Sequence, residues 1–161
     1  MIKILYHDGL SGAAELPGQI DGFENAYGNG EIHCYRLFDG VTVMRMRLEM
    51  ERYTEGRTRT DVLEINFWAG GRFETQFSMQ DHVLMKPGDM AVSCYDGYHG
   101  KRSESWFPLG YYEGICLEIE PSEAGRWMQR NAPAFSVDFK SLKENLLGNK
   151  WYLSSSAGTR C

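Results

Sequence analysis

A chain of 161 residues, 42% hydrophobic and 24% charged, fits one globular domain long enough for a proper core. Its formal net charge of −5 excludes a chain that grips nucleic acid by itself, since binding phosphates needs clustered Lys and Arg. The opening MIKILYHDGLSG has an apolar part too short for a signal-peptide core or a membrane span, so a cytoplasmic location is expected.

Residues 7–30 are turn-rich and read as an irregular lead-in segment with at most one short strand. EIHCYRLF (31–38) and VTVMRMRLEM (41–50) then flank Asp39-Gly40, a strong local hairpin signal. In the second run Met44, Met46, Leu48 and Met50 share one face, and Arg45, Arg47 and Glu49 share the other. RYTEGRTRT reads as a polar turn. In DVLEINFW (61–68), Leu63, Ile65 and Phe67 alternate with Glu64, Asn66 and Trp68. Ala69-Gly70-Gly71 is expected to turn the chain into RFETQF (72–77). HVLMK (82–86), a Pro87-Gly88-Asp89 turn, MAVSCY (90–95) and GYYEGICLEIE (110–120) complete the strands.

About eight strands joined by short loops predict a mainly β fold, either a closed antiparallel barrel or a two-sheet jelly roll. Two helices follow. Pro121-Ser122-Glu123 starts one, with Ala124, Trp127 and Met128 on one face and Asn131-Ala132-Pro133 as its stop. Asp138 starts the next, with Phe139, Leu142 and Leu146 on one stripe and Gly148-Asn149 behind them. The expected organisation is a single domain: lead-in 1–30, barrel 31–120, then helices and the start of a linker over 121–161. WYLSSSAGTRC reads as an internal loop before something else, as in a module cut from a longer protein.

The chain shows no Ser–His–Asp elbow, phosphate loop or dinucleotide fingerprint. Cys34, Cys94, Cys116 and Cys161 form no C-x-x-C pair and no zinc spacing, and the first three lie in apolar strand-like runs as small buried thiols. What stands out is polarity on β-prone strands: Arg45 with Arg47, and Glu64 with Asn66 and Trp68. Either these line a pocket for a small polar ligand, or the arginines face solvent with Met44, Met46 and Leu48 inside. Both orientations stay open here.

Residues 57–99 resemble the two motifs of the cupin superfamily. Glu64 followed by INFWAG and Gly71 matches the end of the first motif, but Arg57, Thr58, Arg59 and Thr60 stand where its two histidines belong. Gly88 in PGD and His99 in DGYH loosely match the second. Metal cupins resemble three-His-one-Glu sites, and this chain offers Glu64 and His99 alone, too few for a durable transition-metal site. No cofactor is therefore expected, and His99 is read as a rim residue of the barrel.

EINFWAGGRFETQF (64–77), HVLMKPGDMAVS (82–93) and SWFPLGYYEGICLEIEPSEA (105–124) together resemble the N-terminal sensor domain of AraC-type transcription regulators. This similarity covers about residues 30–150. It implies a metal-free cupin barrel binding a small effector, a sugar or another polar metabolite. Glu64 would point into the barrel, and Asn66 and Trp68 with it. Arg45, Arg47, His99 and Tyr112 complete the expected ligand-binding set. The resemblance also implies a homodimer formed through the helical pair, and DNA contacts made by a C-terminal helix-turn-helix domain that these residues do not include. No catalysis and no membrane partner are expected. Two other classes compete: a stand-alone metal-dependent cupin enzyme using Glu64 and His99, and a carbohydrate-binding module stacking sugars on Trp68, Trp106, Tyr111 and Tyr112.

Overall fold

Twelve strands and two α-helices are present in the computed structural model, which describes residues 3–6, 18–25, 27–56, 61–76, 82–94, 102–135, 137–148 and 152–156. Side chains are described over 27–53, 61–75, 83–94 and 105–148 apart from 136. In chain order the strands begin with β1 (Lys3–Tyr6), β2 (Gly18–Asn25), β3 (Gly28–Phe38), β4 (Val41–Met50), β5 (Arg52–Gly56) and β6 (Leu63–Gly71). Next come β7 (Phe73–Gln76), β8 (His82–Met85), β9 (Asp89–Cys94), β10 (Arg102–Trp106) and β11 (Tyr112–Ile119). Helices α1 (Pro121–Asn131) and α2 (Phe139–Leu147) precede β12 (Tyr152–Ser156).

The strands form two antiparallel sheets, ordered β1-β2-β3-β4-β11-β6-β9-β12 and β5-β10-β7-β8. The eight strands β4 to β11 divide equally, β4, β6, β9 and β11 in the large sheet and β5, β7, β8 and β10 in the small one with β7 and β8 as a hairpin, in the manner of a double-sheet jelly roll, the cupin-like architecture that the sequence predicts. Among the described residues, 7–30 hold the one strand expected there, β2, and the start of β3, with β1 before them, and RYTEGRTRT contains β5 rather than only a turn. Ser154-Ser155-Ser156, expected as a loop, belongs to β12 and pairs with β9.

Two turns show why the chain folds this way. Val41 pairs with Phe38 across Asp39-Gly40, and Gly40 alone takes a positive φ, 81°. Asp39 does not, so the turn is not of the type in which both central residues are left-handed; the ladder instead shifts register between Arg36 and Phe38. At Pro87-Gly88, Pro supplies the fixed φ and Gly88 a φ of 89°, as a type II turn requires. The Asp89 carboxylate accepts from the Lys86 N–H at 3.1 Å, and Gly88 N–H donates to the Trp68 carbonyl at 2.9 Å.

Ala69-Gly70-Gly71 is not a hairpin turn. It ends β6, where the pairing with β11 shifts register, and β7 begins two residues later in the other sheet. The segment is a bulged corner that carries the chain from one sheet to the other.

Apolar residues fill two layers. Between the sheets, Leu48, Met50, Trp68, Met85, Ala91, Phe107 and Tyr112 pack with Met46, Tyr53, Phe73 and Val83. On the outer side of the large sheet, Val41, Leu63, Val92, Cys94 and Ile119 are covered by Ala124 of α1 and Phe139 and Leu147 of α2. Trp127 stacks on Phe38 with ring centroids 4.4 Å apart. Asp138 caps α2 by accepting from the backbone N–H groups of Lys140 and Ser141, and Gly148 ends it, both as expected from sequence. Among the described residues, no helix is long and apolar enough to cross a membrane.

Candidate functional site

Strand β6 lies between β11 and β9, and its period-two alternation divides its side chains between two environments. Leu63 and Ile65 pack under the helices, while Trp68 packs between the sheets, so Glu64 and Asn66 share Trp68's inward face. The sequence expectation for these three residues matches their placement.

Register extends this inner face sideways. Glu64 is paired with Ser93 of β9 and Glu118 of β11. Asn66 is paired with Ala91 and Cys116, and Cys116 with Met44 of β4. Trp68 is opposite Gly114, which is opposite Met46. The inner face therefore runs from a carboxylate and hydroxyl row, through an amide and thiol row, to an aromatic floor.

Glu64 is only 4% exposed, and the Ser93 hydroxyl donates to its Oε2 at 3.3 Å. Asn66 is half-buried. Trp68 is also 4% exposed, and its indole Nε1 is buried without a hydrogen-bond partner. Its ring lies 5.2 Å from Phe73 and 5.9 Å from Tyr112, and Phe107 lies 5.4 Å from Tyr112. On the small sheet, the buried Ser105 hydroxyl donates to Thr75 Oγ1 at 3.2 Å.

Tyr112 joins the site as part of this floor. Its ring lies forward along β11 over Gly114, a position where a β-carbon would collide with the phenol. Burial pushes the Tyr112 hydroxyl well above its ordinary pKa, with the nearby Cys116 adding to the shift, so it remains a neutral donor.

Arg45 and Arg47 are not brought to this face. They alternate with the inward Met44, Met46 and Leu48, and the structure sets them on the outer side of the large sheet. Arg45 pairs there with Glu113 at 3.2 Å, and Arg47 with Glu49 at 3.8 Å, all four well exposed. Two charges on the inner face of β4 would have displaced the methionine stripe from the core. His99 and residues 57–60 lie outside the described residues.

Sequence reasoning missed Ser93 and Cys116, and weighed Glu118 beside Glu64 as a possible carboxylate pair without placing it in the site. Alternation in MAVSCY groups Ala91 with Ser93, but only the β6–β9 register brings Ser93 beside Glu64. Among the described residues, no cluster of three or more His, Cys, Asp and Glu side chains could hold a metal ion. The described donors around Glu64 are Ser93, Glu118 and Asn66, which do not supply the imidazoles of a metal cupin. What this face can do is hydrogen-bond a polar ligand at one end and stack it against aromatic rings at the other.

No protein-family model matches the chain, nor does any curated protein sequence. Among solved structures, the chain is similar to an HTH_3 family transcriptional regulator from Vibrio cholerae, at 11% identity and TM-score 0.44, over 56% of this chain and 51% of that one. It is similar to the Cupin_2 domain of an XRE family transcriptional regulator from Enterobacter cloacae, at 12% identity and TM-score 0.42, over 51% of this chain and 83% of that one. It is also similar to a variant of Bacillus subtilis oxalate decarboxylase, at 11% identity and TM-score 0.45, over 86% of this chain and 40% of that one. The match thus spans about half of the Vibrio protein and less of the decarboxylase. The cupin-like structures it resembles include both regulator domains and enzymes.

Proposed function

We propose that this barrel is the effector-sensing module of an AraC-type transcription regulator, and that a small polar ligand binds on the inner strip of Glu64, Asn66 and Trp68. The observation that carries this reading is the Trp68 indole N–H, buried without a partner at the end of a polar strip. A buried donor left unsatisfied costs about 1–3 kcal/mol, which an acceptor on a ligand recovers. Glu64 and Asn66 on the same face supply an acceptor and an amide for the ligand's hydroxyl or amide groups.

The same strand supports a route outward. Glu64 and Asn66 face the ligand strip, while Leu63 and Ile65, which alternate with them, face α1 and α2. A ligand that favours one setting of β6 would bias the helix pair by its differential affinity, and through it an attached DNA-binding domain. In this reading the module does no chemistry, holds no metal and works in the cytoplasm.

The test is thermal unfolding against a panel of neutral sugars, amino acids and small hydroxy acids. A stabilising compound should lose its effect in both Trp68→Phe, which keeps an aromatic ring but removes the N–H, and Glu64→Gln. A shift that survives both changes places the ligand elsewhere.

A further inference from the structure

Helices α1 and α2 both cover the outer face of the large sheet, and a groove of about 530 Å³ opens between them. Small-molecule sites have this size, roughly 300–1,000 Å³. Helical spacing builds its walls. Ser122, Gly125 and Gln129 stand one turn apart on α1, with Met128 beside them. Phe139 and Lys143 stand one turn apart on α2, with Lys140 beside them. Met128 and Phe139 also belong to the core under the helices, so the groove has an apolar floor and a polar rim.

Two features set this groove apart from an ordinary seam between helices. The first is Gly125, inside α1. A glycine in a helix interior costs stability relative to alanine. Its φ is not left-handed, and a β-carbon there would meet no neighbour within 4 Å. Neither backbone geometry nor packing demands a glycine, and its missing side chain keeps the groove open.

The second feature is charge. Among the described residues, Asp61, Asp138, Lys140 and Lys143 are the charged side chains that line the groove. Asp138 is engaged by α2 itself. One carboxylate oxygen accepts from the Lys140 and Ser141 N–H groups, and the other accepts from the Ser141 hydroxyl. Two lysines on the groove side of α2 then stand against Asp61, and the rim is net positive over an apolar floor. Lys143 is half-buried, and its charge reaches the Cys94 thiol under the helices. Such a rim favours an anion over a neutral sugar or an amine, because charge-assisted hydrogen bonds from an ammonium are stronger than neutral ones.

We propose that the groove between α1 and α2 is a second ligand site, separate from the interior strip, and that it takes a small monocarboxylate with an apolar body. The carboxylate meets Lys140 and Lys143, and the body lies on Met128 and Phe139 in the space over Gly125. A ligand touching both helices holds them together on the sheet and stabilises the fold by mass action.

Isothermal titration of the whole chain with 3-phenylpropionate tests it, beside the neutral 3-phenylpropanamide, 3-phenylpropylamine and acetate. The expected result is one saturable site for 3-phenylpropionate, with the other three compounds weaker by about tenfold or more. Lys140→Gln combined with Lys143→Gln should weaken binding by about tenfold or more. Gly125→Leu should fill the groove and abolish binding, while Gly125→Ala should raise the melting temperature. Arg126→Gln removes an exposed charge of α1 outside the groove and should leave binding unchanged. Absence of saturable binding overturns the inference. So does binding that survives the lysine and leucine changes, or an amide that binds as tightly as the acid. A loss in Arg126→Gln equal to that of the lysine pair overturns it as well, since it marks unspecific attraction of anions. A lower melting temperature in Gly125→Ala overturns the role given to the glycine.

Discussion

The Tyr112 hydroxyl occupies the space where a β-carbon on Gly114 would stand. The two residues follow each other on the inner face of β11, and the missing side chain of one makes room for the phenol of the other. Gly114 is also opposite Trp68, so the same gap sets the aromatic floor of the candidate site.

Gly114→Ala should therefore drive the Tyr112 ring off its present position and cost about 1–3 kcal/mol, the usual effect of overpacking. Chemical denaturation reads the loss. Combining Gly114→Ala with Tyr112→Phe removes the hydroxyl closest to the new methyl, so the double variant should be less destabilised than the sum of the single ones. Strict additivity would show that the two residues do not share this space.

Ser93→Ala removes a hydroxyl that donates to the buried Glu64 carboxylate. The expected loss is about 1–3 kcal/mol, because Glu64 is left with one donor fewer in a site that water reaches poorly. Ser93→Thr keeps the hydroxyl and should recover part of it. Both are measured by urea unfolding near neutral pH.

Asp138 makes the second helix sensitive to acid. Hydrogen bonds from the Ser141 hydroxyl and backbone N–H, helped by Lys140, hold its carboxyl below the ordinary value of 3.8. A folded-state pKa below the unfolded one means that the contribution is present above the unfolded value and is lost as pH falls through the folded one. Melting temperature should drop on acidification below about pH 4 by more in the wild type than in Asp138→Asn, whose side chain caps the helix without titrating. Equal acid slopes in the two proteins would exclude this role.

The thiols should differ in reactivity. Cys94 and Cys116 are buried and Cys34 is half-buried. Burial pushes the Cys94 thiol up, against the opposing influence of Lys143, so little thiolate is present at neutral pH. Among these three, alkylation of the native protein followed by peptide mass spectrometry should label Cys34 first. Prior labelling of Cys94 would mean that α2 opens readily from the sheet.

Much of this architecture was legible because strong local signals met no competition. Period-two alternation in 61–68 grouped Glu64, Asn66 and Trp68 on one face, and the cupin resemblance pointed that face inward. Asp138, Gly148 and the Pro87-Gly88 pair marked boundaries by side-chain capping and φ requirements that few other residues meet. The strands β5, β10 and β12 were illegible because they carry few apolar residues. Ser105 of β10 is buried through a hydrogen bond to Thr75, and no periodicity announces such a contact. The orientation of Arg45 was undecidable locally, since its partner Glu113 is 68 positions away. Likewise, nothing near Glu64 in sequence points to Ser93.

That separation of 68 positions also bears on how the molecule is made. Strand β11 is the centre of the large sheet, holding β4 on one side and β6 on the other, yet it is the last of the jelly-roll strands in the chain. At about 5–20 residues per second, β4 waits on the order of several seconds after its own synthesis for its partner to emerge. During that interval Met46, Leu48 and Met50 cannot be enclosed as they are in the finished core. Such a chain should fold slowly, as non-local β topologies do, and should be most prone to aggregate while it is still being translated.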